Sequence, residues 1–235
     1  MTISDINAEA RSLCDADTTS YTAADLLRRV NIGLETLVGK IINADGTWEY
    51  DDTNYTDLPV GTGTLVEAQE SYSFSSEYLQ VQAIKVKDVS GNWIIVENID
   101  QFSDNLGGIA IEEYFSATGL PQYYDILGDT VRLYPAPTST AVTLSAGLKV
   151  HFKRTADLFT SAQVTTGTKE PGLPSPYHVI LSYFAAIPYC ALYKKDRVAW
   201  LEKKWDEGVR EVIKHYSHRE KDRRKIMTMK GISYT

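Results

Sequence analysis

Cysteine is scarce: Cys14 and Cys190 are the only two among 235 residues. That scarcity excludes a disulfide-stapled scaffold, and it points to a reducing compartment or to indifference to redox conditions. A bond between the two is possible but nothing in the sequence supports it, and both read as buried or bland thiols. Long apolar runs are also missing. The longest, residues 177–193, is interrupted by His178, Ser182 and Pro188 and is too short to span a bilayer. Residues 1–15 are acidic without an apolar core, which is not the pattern of a signal peptide. The expectation is a soluble chain made in the cytoplasm. Catalytic signatures are lacking as well. There is no Gly-x-Ser-x-Gly elbow and no phosphate-cradling Gly-x-x-x-x-Gly-Lys-Ser/Thr, and Gly61-Thr-Gly63 is an isolated pair. Neither an internal repeat nor a low-complexity tract is found.

What is present is an ordinary globular composition, 43% hydrophobic and 23% charged, long enough to bury a core without staples. The net charge of −7 is unevenly spread. Residues 194–235 carry 13 Lys+Arg against 7 Asp+Glu, whereas residues 1–193 carry 11 against 24. An acidic body argues against a protein that grasps duplex DNA, which needs a basic face. The basic end is a candidate docking tail.

Periodicity predicts helices at both ends and strands between them. Ile3, Ile6, Ala10 and Leu13 lie at helical spacing, with Ser4 or Asp5 as the cap. A second helix opens at Thr22, with Asp25 three residues on, and carries Leu26, Leu27, Val30, Leu34, Leu37, Val38 and Ile41 on one face. From Thr47 to about Phe159 the chain is rich in Thr, Tyr, Val and Ile with frequent turn residues. Strands are expected at 64–69, 70–74, 78–88, 93–96, 123–127, 130–134 and 143–153, with hairpin turns at 90–92 and 128–129. A short helix is expected at 100–105, and 109–116 suits either period. Residues 160–174 read as a surface loop. Ser175 as cap and Pro176 as first residue open a helix that Pro188 should kink or break. A final helix carries Val198, Leu201, Trp205, Val209, Val212 and Tyr216 in a narrow seam suited to one partner. Together these predict an α+β protein, with N- and C-terminal helices forming a bundle around an inserted antiparallel β-rich domain. The divisions are 1–46 and 160–218 for the helical domain, 47–159 for the β-rich insert and 219–235 for the tail.

Four groups of residues bear on chemistry or contact. Asp45, Glu49, Asp51, Asp52 and Asp57 crowd one segment, as a hard cation would favour, but the glycine and terminal Glu of an EF-hand are missing, so a solvated acidic loop is the expectation. His215 and His218 are spaced to share a metal but have no evident third ligand, and His178 reads as a surface residue in the first turn of its helix. No catalytic residue, cofactor or metal site is assigned. Fifteen tyrosines and four tryptophans supply rigid contact residues suited to interfaces, although Trp93, Tyr134 and Trp205 are candidates for plain core. The tail mixes Arg219, Arg223, Arg224 and Lys225 with Ile226, Met227, Met229, Ile232 and Tyr234. A merely solvated tail does not need those apolar residues, so a segment that orders on a partner is expected.

Four stretches resemble the head-to-tail adaptor, or connector, proteins of tailed bacteriophages. They are Asp25-Leu-Leu-Arg-Arg-Val-Asn-Ile-Gly-Leu34 with the following Asp45-to-Asn54 run, Leu65-to-Phe74, the Pro121-to-Pro137 hairpin ending Tyr-Pro-Ala-Pro, and Leu148-Lys-Val-His-Phe-Lys-Arg154. The likeness spans about residues 22–215 and rests on the order of these stretches in a helix–β–helix frame. It implies a homo-oligomeric ring, commonly of twelve copies, docked beneath the portal protein. It also implies a channel that passes the genome without specific binding, a face for tail or nozzle proteins, and residence in the virion. The tail residues from Arg219 to Tyr234 would then bind the portal, while Leu201, Trp205, Val209, Val212 and Tyr216 would pack subunits. Two other readings stand beside this one: a carbohydrate- or receptor-binding β module with helical attachment segments, and a metal-dependent hydrolase using the Asp45–Asp57 cluster.

Overall fold

The computed structural model describes residues 1–44, 50–75, 78–100 and 111–217. The chain divides into two compact units: Met1–Asn54 together with the chain from Ala156 onward, and Tyr55–Thr155.

The first unit is helical. Helix α1 spans Ile3–Cys14, and Thr2, rather than Ser4 or Asp5, is its cap. The Thr2 hydroxyl accepts from the Asp5 backbone N–H, and the Asp5 carboxylate accepts from the Thr2 N–H, so two otherwise orphaned donors are satisfied. Helix α2, Ala23–Ile42, is capped by Thr22 as expected, and it buries Leu26, Val30, Leu34, Leu37, Val38 and Ile41. Helix α5, Val179–Tyr193, packs against α1, α2 and the last helix α6, Lys195–Ser217. Two short elements precede α5 in the chain. One is α4, Gln163–Thr166, and the other is a 3-10 turn at Ser175–Tyr177, which places Ser175 within the turn rather than at the cap of α5, the position His178 takes.

Proline at 188 does not end helix α5, which runs unbroken to Tyr193. An interior proline costs about 3 kcal/mol, and burial against three neighbouring helices offsets it: Ile180, Leu181, Ala185, Ala186 and Cys190 are all nearly inaccessible. The break falls instead at Lys194, where the backbone leaves helical geometry. The segment 160–174 is also less superficial than expected, since Val164 and Leu173 join the helical core.

The second unit is one seven-stranded sheet. Its strands are β1 Val60–Gly63, β2 Ser71–Ser73, β3 Tyr78–Lys87, β4 Trp93–Asn98, β5 Tyr123–Leu127, β6 Thr130–Tyr134 and β7 Leu148–Arg154. A single helical turn, α3 at Ile111–Tyr114, lies between β4 and β5. The order across the sheet is β1-β7-β3-β4-β5-β6-β2. All neighbours are antiparallel except β4 and β5, which run parallel with Glu97 opposite Tyr123. One apolar core gathers Ile84, Val86, Val96, Val131, Leu133 and Val150 from across the sheet. The two outermost strands, β1 and β2, border the same cavity of about 130 Å³, so the sheet curls toward itself without closing.

Strand β1 replaces the strand expected at 64–69. Residues after Gly63 turn away, and Ala68 adopts a left-handed backbone with φ 60°. Gly61 permits a close approach of Tyr78 from β3, because a side chain there would collide with the tyrosine hydroxyl and ring. Expectations for residues 100–105 fall almost wholly outside the described residues.

Candidate interaction surface

Five of the six seam residues of α6 turn inward, and Val198 is half-buried. Leu201 and Val212 are fully buried, and Trp205, Val209 and Tyr216 nearly so. Trp205 lies against Phe184 of α5, with ring centroids 4.7 Å apart, and Tyr216 meets Tyr50 at 6.4 Å. Gly208 lets α5 come close, since a Cβ there would sit 2.6 Å from Ile180 Cγ1. The seam therefore packs within the helical core of its own chain. A stripe at helical spacing reports that a helix packs on something, and here that partner is α5 of the same chain.

Outward-facing apolar side chains gather where α5 meets α6. Leu192 is 72% exposed, Tyr193 67% and Trp200 47%. Trp200 rests edge-on against Tyr183 at 6.0 Å, and Tyr193 lies 4.8 Å from Tyr189. A shallow recess beside them is lined by Tyr21, Arg28, Arg29, Pro188, Tyr189 and Leu192. Large aromatic and aliphatic groups flanked by arginine are the composition of protein–protein contact surfaces. The sequence does carry a signal for Trp200. It stands one residue out of phase with the seam positions Val198 and Leu201, so an apolar residue sits on the polar face of α6. Leu192 and Tyr193 gave no such signal, because they extend the apolar run of a buried helix.

Within the acidic cluster, Asp52 has a structural role. Asp52 is 1% exposed, contrary to a solvated loop. Its carboxylate accepts from the Tyr50 hydroxyl (3.0 Å), the Asn54 backbone N–H (2.9 Å), the Asn54 side-chain amide (2.8 Å) and the Asp157 backbone N–H (2.9 Å). Four donors saturate the carboxylate. Asp57, in the other unit, pairs with Arg154 at 3.5 Å, and that guanidinium also covers the Tyr55 ring at 4.1 Å. Asp45 and Glu49 lie outside the described residues, and among the described residues no group of three His, Cys, Asp or Glu side chains is placed to hold a metal.

Histidines give one correction. His178 is 1% exposed, not superficial. Its Nε2 sits 2.7 Å from the Leu173 carbonyl, to which it donates, and its Nδ1 lies 2.8 Å from the Met1 amino group, from which it accepts. His215 packs beside the Tyr177 ring, with centroids 5.4 Å apart, and His218 lies outside the described residues. Tyr134 and Trp205 are core, as anticipated, while Trp93 is half-buried under Lys149, whose Nζ stands 4.1 Å from the ring. The tail residues Arg219, Arg223, Arg224, Lys225, Ile226, Met227, Met229, Ile232 and Tyr234 all lie outside the described residues.

Several of the best-buried polar side chains thus fix backbone. No described helix is long and apolar enough to cross a membrane. The described features are a helical unit with an exposed apolar elbow and a unit built on a curled sheet. The chain belongs to the SU10 adaptor protein family, whose model matches residues 1–226. The family name denotes a phage adaptor, a component of the virion. No curated protein matches the chain.

Proposed function

We propose that this protein is a non-catalytic head-to-tail adaptor that forms a ring, commonly of twelve copies, beneath the portal of a phage particle. On this reading the ring offers its other face to tail or nozzle proteins and encloses a channel for DNA. The family match over residues 1–226 carries the proposal. Support also comes from the exposed Leu192, Tyr193 and Trp200. A ring needs two complementary side faces that close by rotation, and the exposed apolar side chains of the α5–α6 elbow suit one of them.

The charge pattern fits the same role. Residues 1–193 are strongly acidic, and a channel lined by such a body would repel DNA rather than hold it. The basic tail, Arg219 to Tyr234, would dock on the portal, with its arginines giving attraction and Ile226, Met227, Met229, Ile232 and Tyr234 giving apolar contact.

Multi-angle light scattering of the protein alone and with its portal tests the proposal. A defined ring, or a complex of fixed stoichiometry with the portal, is expected. A persistent monomer that also ignores the portal would refute it. Imaging of the assembled particle then tests the channel: a lining composed mostly of Lys and Arg would overturn the repulsion argument.

A further inference from the structure

The two cysteines, 176 positions apart in the chain, meet inside the helical unit. Cys14 is the last residue of α1, and Cys190 lies in the final turn of α5. Both are 0% exposed. The Cys190 thiol donates to Cys14 Sγ at 3.3 Å, and the Cys14 thiol donates to the Ala186 carbonyl at 3.4 Å. Around them pack Ala186, Leu201, Ile187 and Val198, all apolar. The two sulfurs are thus the polar groups of an otherwise greasy pocket, and they face each other.

We propose that Cys14 and Cys190 are a dithiol that closes into a disulfide in oxidising surroundings, stapling α1 to α5. The sulfurs must approach from 3.3 Å to about 2.0 Å, a movement within reach of side-chain rotation and a slight shift of α1. The chemistry is exchange with a small-molecule disulfide such as oxidised glutathione. One cysteine, as thiolate, attacks that disulfide and forms a mixed disulfide, releasing the first glutathione. The second then attacks the protein sulfur of the mixed disulfide, the Cys14–Cys190 bond forms and the second glutathione leaves. Two electrons pass to the oxidant, and the two thiol protons end on the two released glutathiones.

The surroundings set the rate. Burial, and then the neighbouring Cys190, hold the Cys14 thiol well above its usual range, so thiolate is scarce while α1 is docked. The α1 terminus is held down by Arg197, which donates to the Leu13 carbonyl at 2.6 Å, and by the Lys194–Asp15 ion pair at 3.2 Å. Oxidation of the folded chain is therefore slow and passes through opening of that terminus, whereas a chain folding in an oxidising medium closes the bond as the helices dock. Reducing conditions keep the dithiol. The inference does not depend on the adaptor reading.

The test uses the full chain, refolded from urea in a series of reduced-to-oxidised glutathione ratios and then quenched by alkylation under denaturing conditions. The expected product is a monomeric chain with no alkylatable thiol, lighter by two hydrogen atoms. Its disulfide-to-dithiol ratio should exceed that of the urea-unfolded chain by on the order of tenfold or more at the same glutathione ratio. Its thermal midpoint should rise, and dithiothreitol should reverse the rise. Cys14→Ala and Cys190→Ala should each lose the oxidant-dependent rise, judged against the same variant under reducing conditions. Two free thiols after refolding, glutathione adducts or cross-linked dimers in place of the internal bond, or an oxidised chain that melts below the reduced one would each overturn the proposal.

Discussion

The Asp52 carboxylate accepts a hydrogen bond from the Asp157 backbone N–H at 2.9 Å, across 105 positions of sequence. Residue 52 lies just before the chain leaves the helical unit, and residue 157 just after it returns. One buried carboxylate thus ties the outgoing and incoming segments of that unit. The backing is tight: a side chain at Gly172 would overlap the Asp52 carboxylate. Asn31 of α2 reinforces the returning segment, donating to the Phe159 carbonyl and accepting from its N–H.

Asp52→Ala is therefore expected to destabilise the helical unit by about 3 kcal/mol, because the Tyr50, Asn54 and Asp157 donors lose their acceptor in a buried place. Asp52→Asn should cost less, since one oxygen remains. Denaturant unfolding of the three proteins checks this. A loss for Asp52→Ala below that of an exposed control such as Glu35→Ala would refute the assignment.

Glycines on α2 make a paired prediction. At Gly33 an added Cβ would stand 2.7 Å from Phe184 Cδ1, whereas at Gly39 it would meet nothing within 4 Å. Alanine gains about 1 kcal/mol over glycine inside a helix. Gly39→Ala should therefore raise stability by up to about 1 kcal/mol, while at Gly33 overpacking of about 1–3 kcal/mol should reverse the sign. Thermal unfolding of both variants gives the comparison, and equal shifts would show that Gly33 does not set the approach of α5.

Two buried tyrosines predict an alkaline loss of stability. Burial pushes Tyr21 and Tyr216 up to about 12, from 10.0. The unfolded chain releases these protons first, so the stabilisation is complete below about pH 10 and is lost as the pH climbs toward 12. Tyr21 also donates to the Ala185 carbonyl at 2.5 Å and stacks on Tyr189. Tyr21→Phe should cost about 1 kcal/mol at neutral pH and should soften the decline above pH 10. Melting curves from pH 8 to 11 measure both effects, and an unchanged alkaline slope in the variant would contradict the account.

Helices were the most legible part of this chain because each buried face repeats in step with the backbone. Leu26, Val30, Leu34, Leu37 and Ile41 all reached the core they implied. The stripe cannot name its partner, which on α6 is α5 of the same chain. Strand boundaries were harder. Gly61 and Gly63 carry no side chains to alternate, and β1 is fixed by pairing with β7 far along the chain. Asp52 was hidden for a related reason: a carboxylate in an acidic run looks solvated until the fold delivers its donors. Fold class survived these errors because it depends on composition and periodicity averaged over long stretches.

The elbow prediction follows from the exposure of its apolar side chains. Replacing Leu192 and Trp200 by glutamate alters side chains that are 72% and 47% exposed, so the thermal midpoint should move little, within about 0.5 kcal/mol per site. Self-association should fall sharply, since buried carboxylates oppose an apolar contact. Light scattering across a concentration series reads the assembly state. Rings formed as readily by the double variant would exclude the elbow as a side face.

The basic tail allows a graded truncation. The family match ends at residue 226, so it includes Arg219, Arg223, Arg224 and Lys225 and excludes Met227, Met229, Ile232 and Tyr234. Deleting 219–235 should abolish portal binding while leaving the thermal midpoint unchanged, since α6 and its buried seam end at Ser217. Deleting only 227–235 removes Met227, Met229, Ile232 and Tyr234 and keeps five of the six cations, Arg219, Lys221, Arg223, Arg224 and Lys225. If apolar contact supplies most of the affinity, the shorter deletion should weaken binding almost as much as the longer one, and the remaining binding should fall steeply with added salt. If charge supplies it, the shorter deletion should bind nearly as the full chain does. Portal pull-downs at two salt concentrations separate these outcomes, and full binding by the longer deletion would retire the tail as the docking segment.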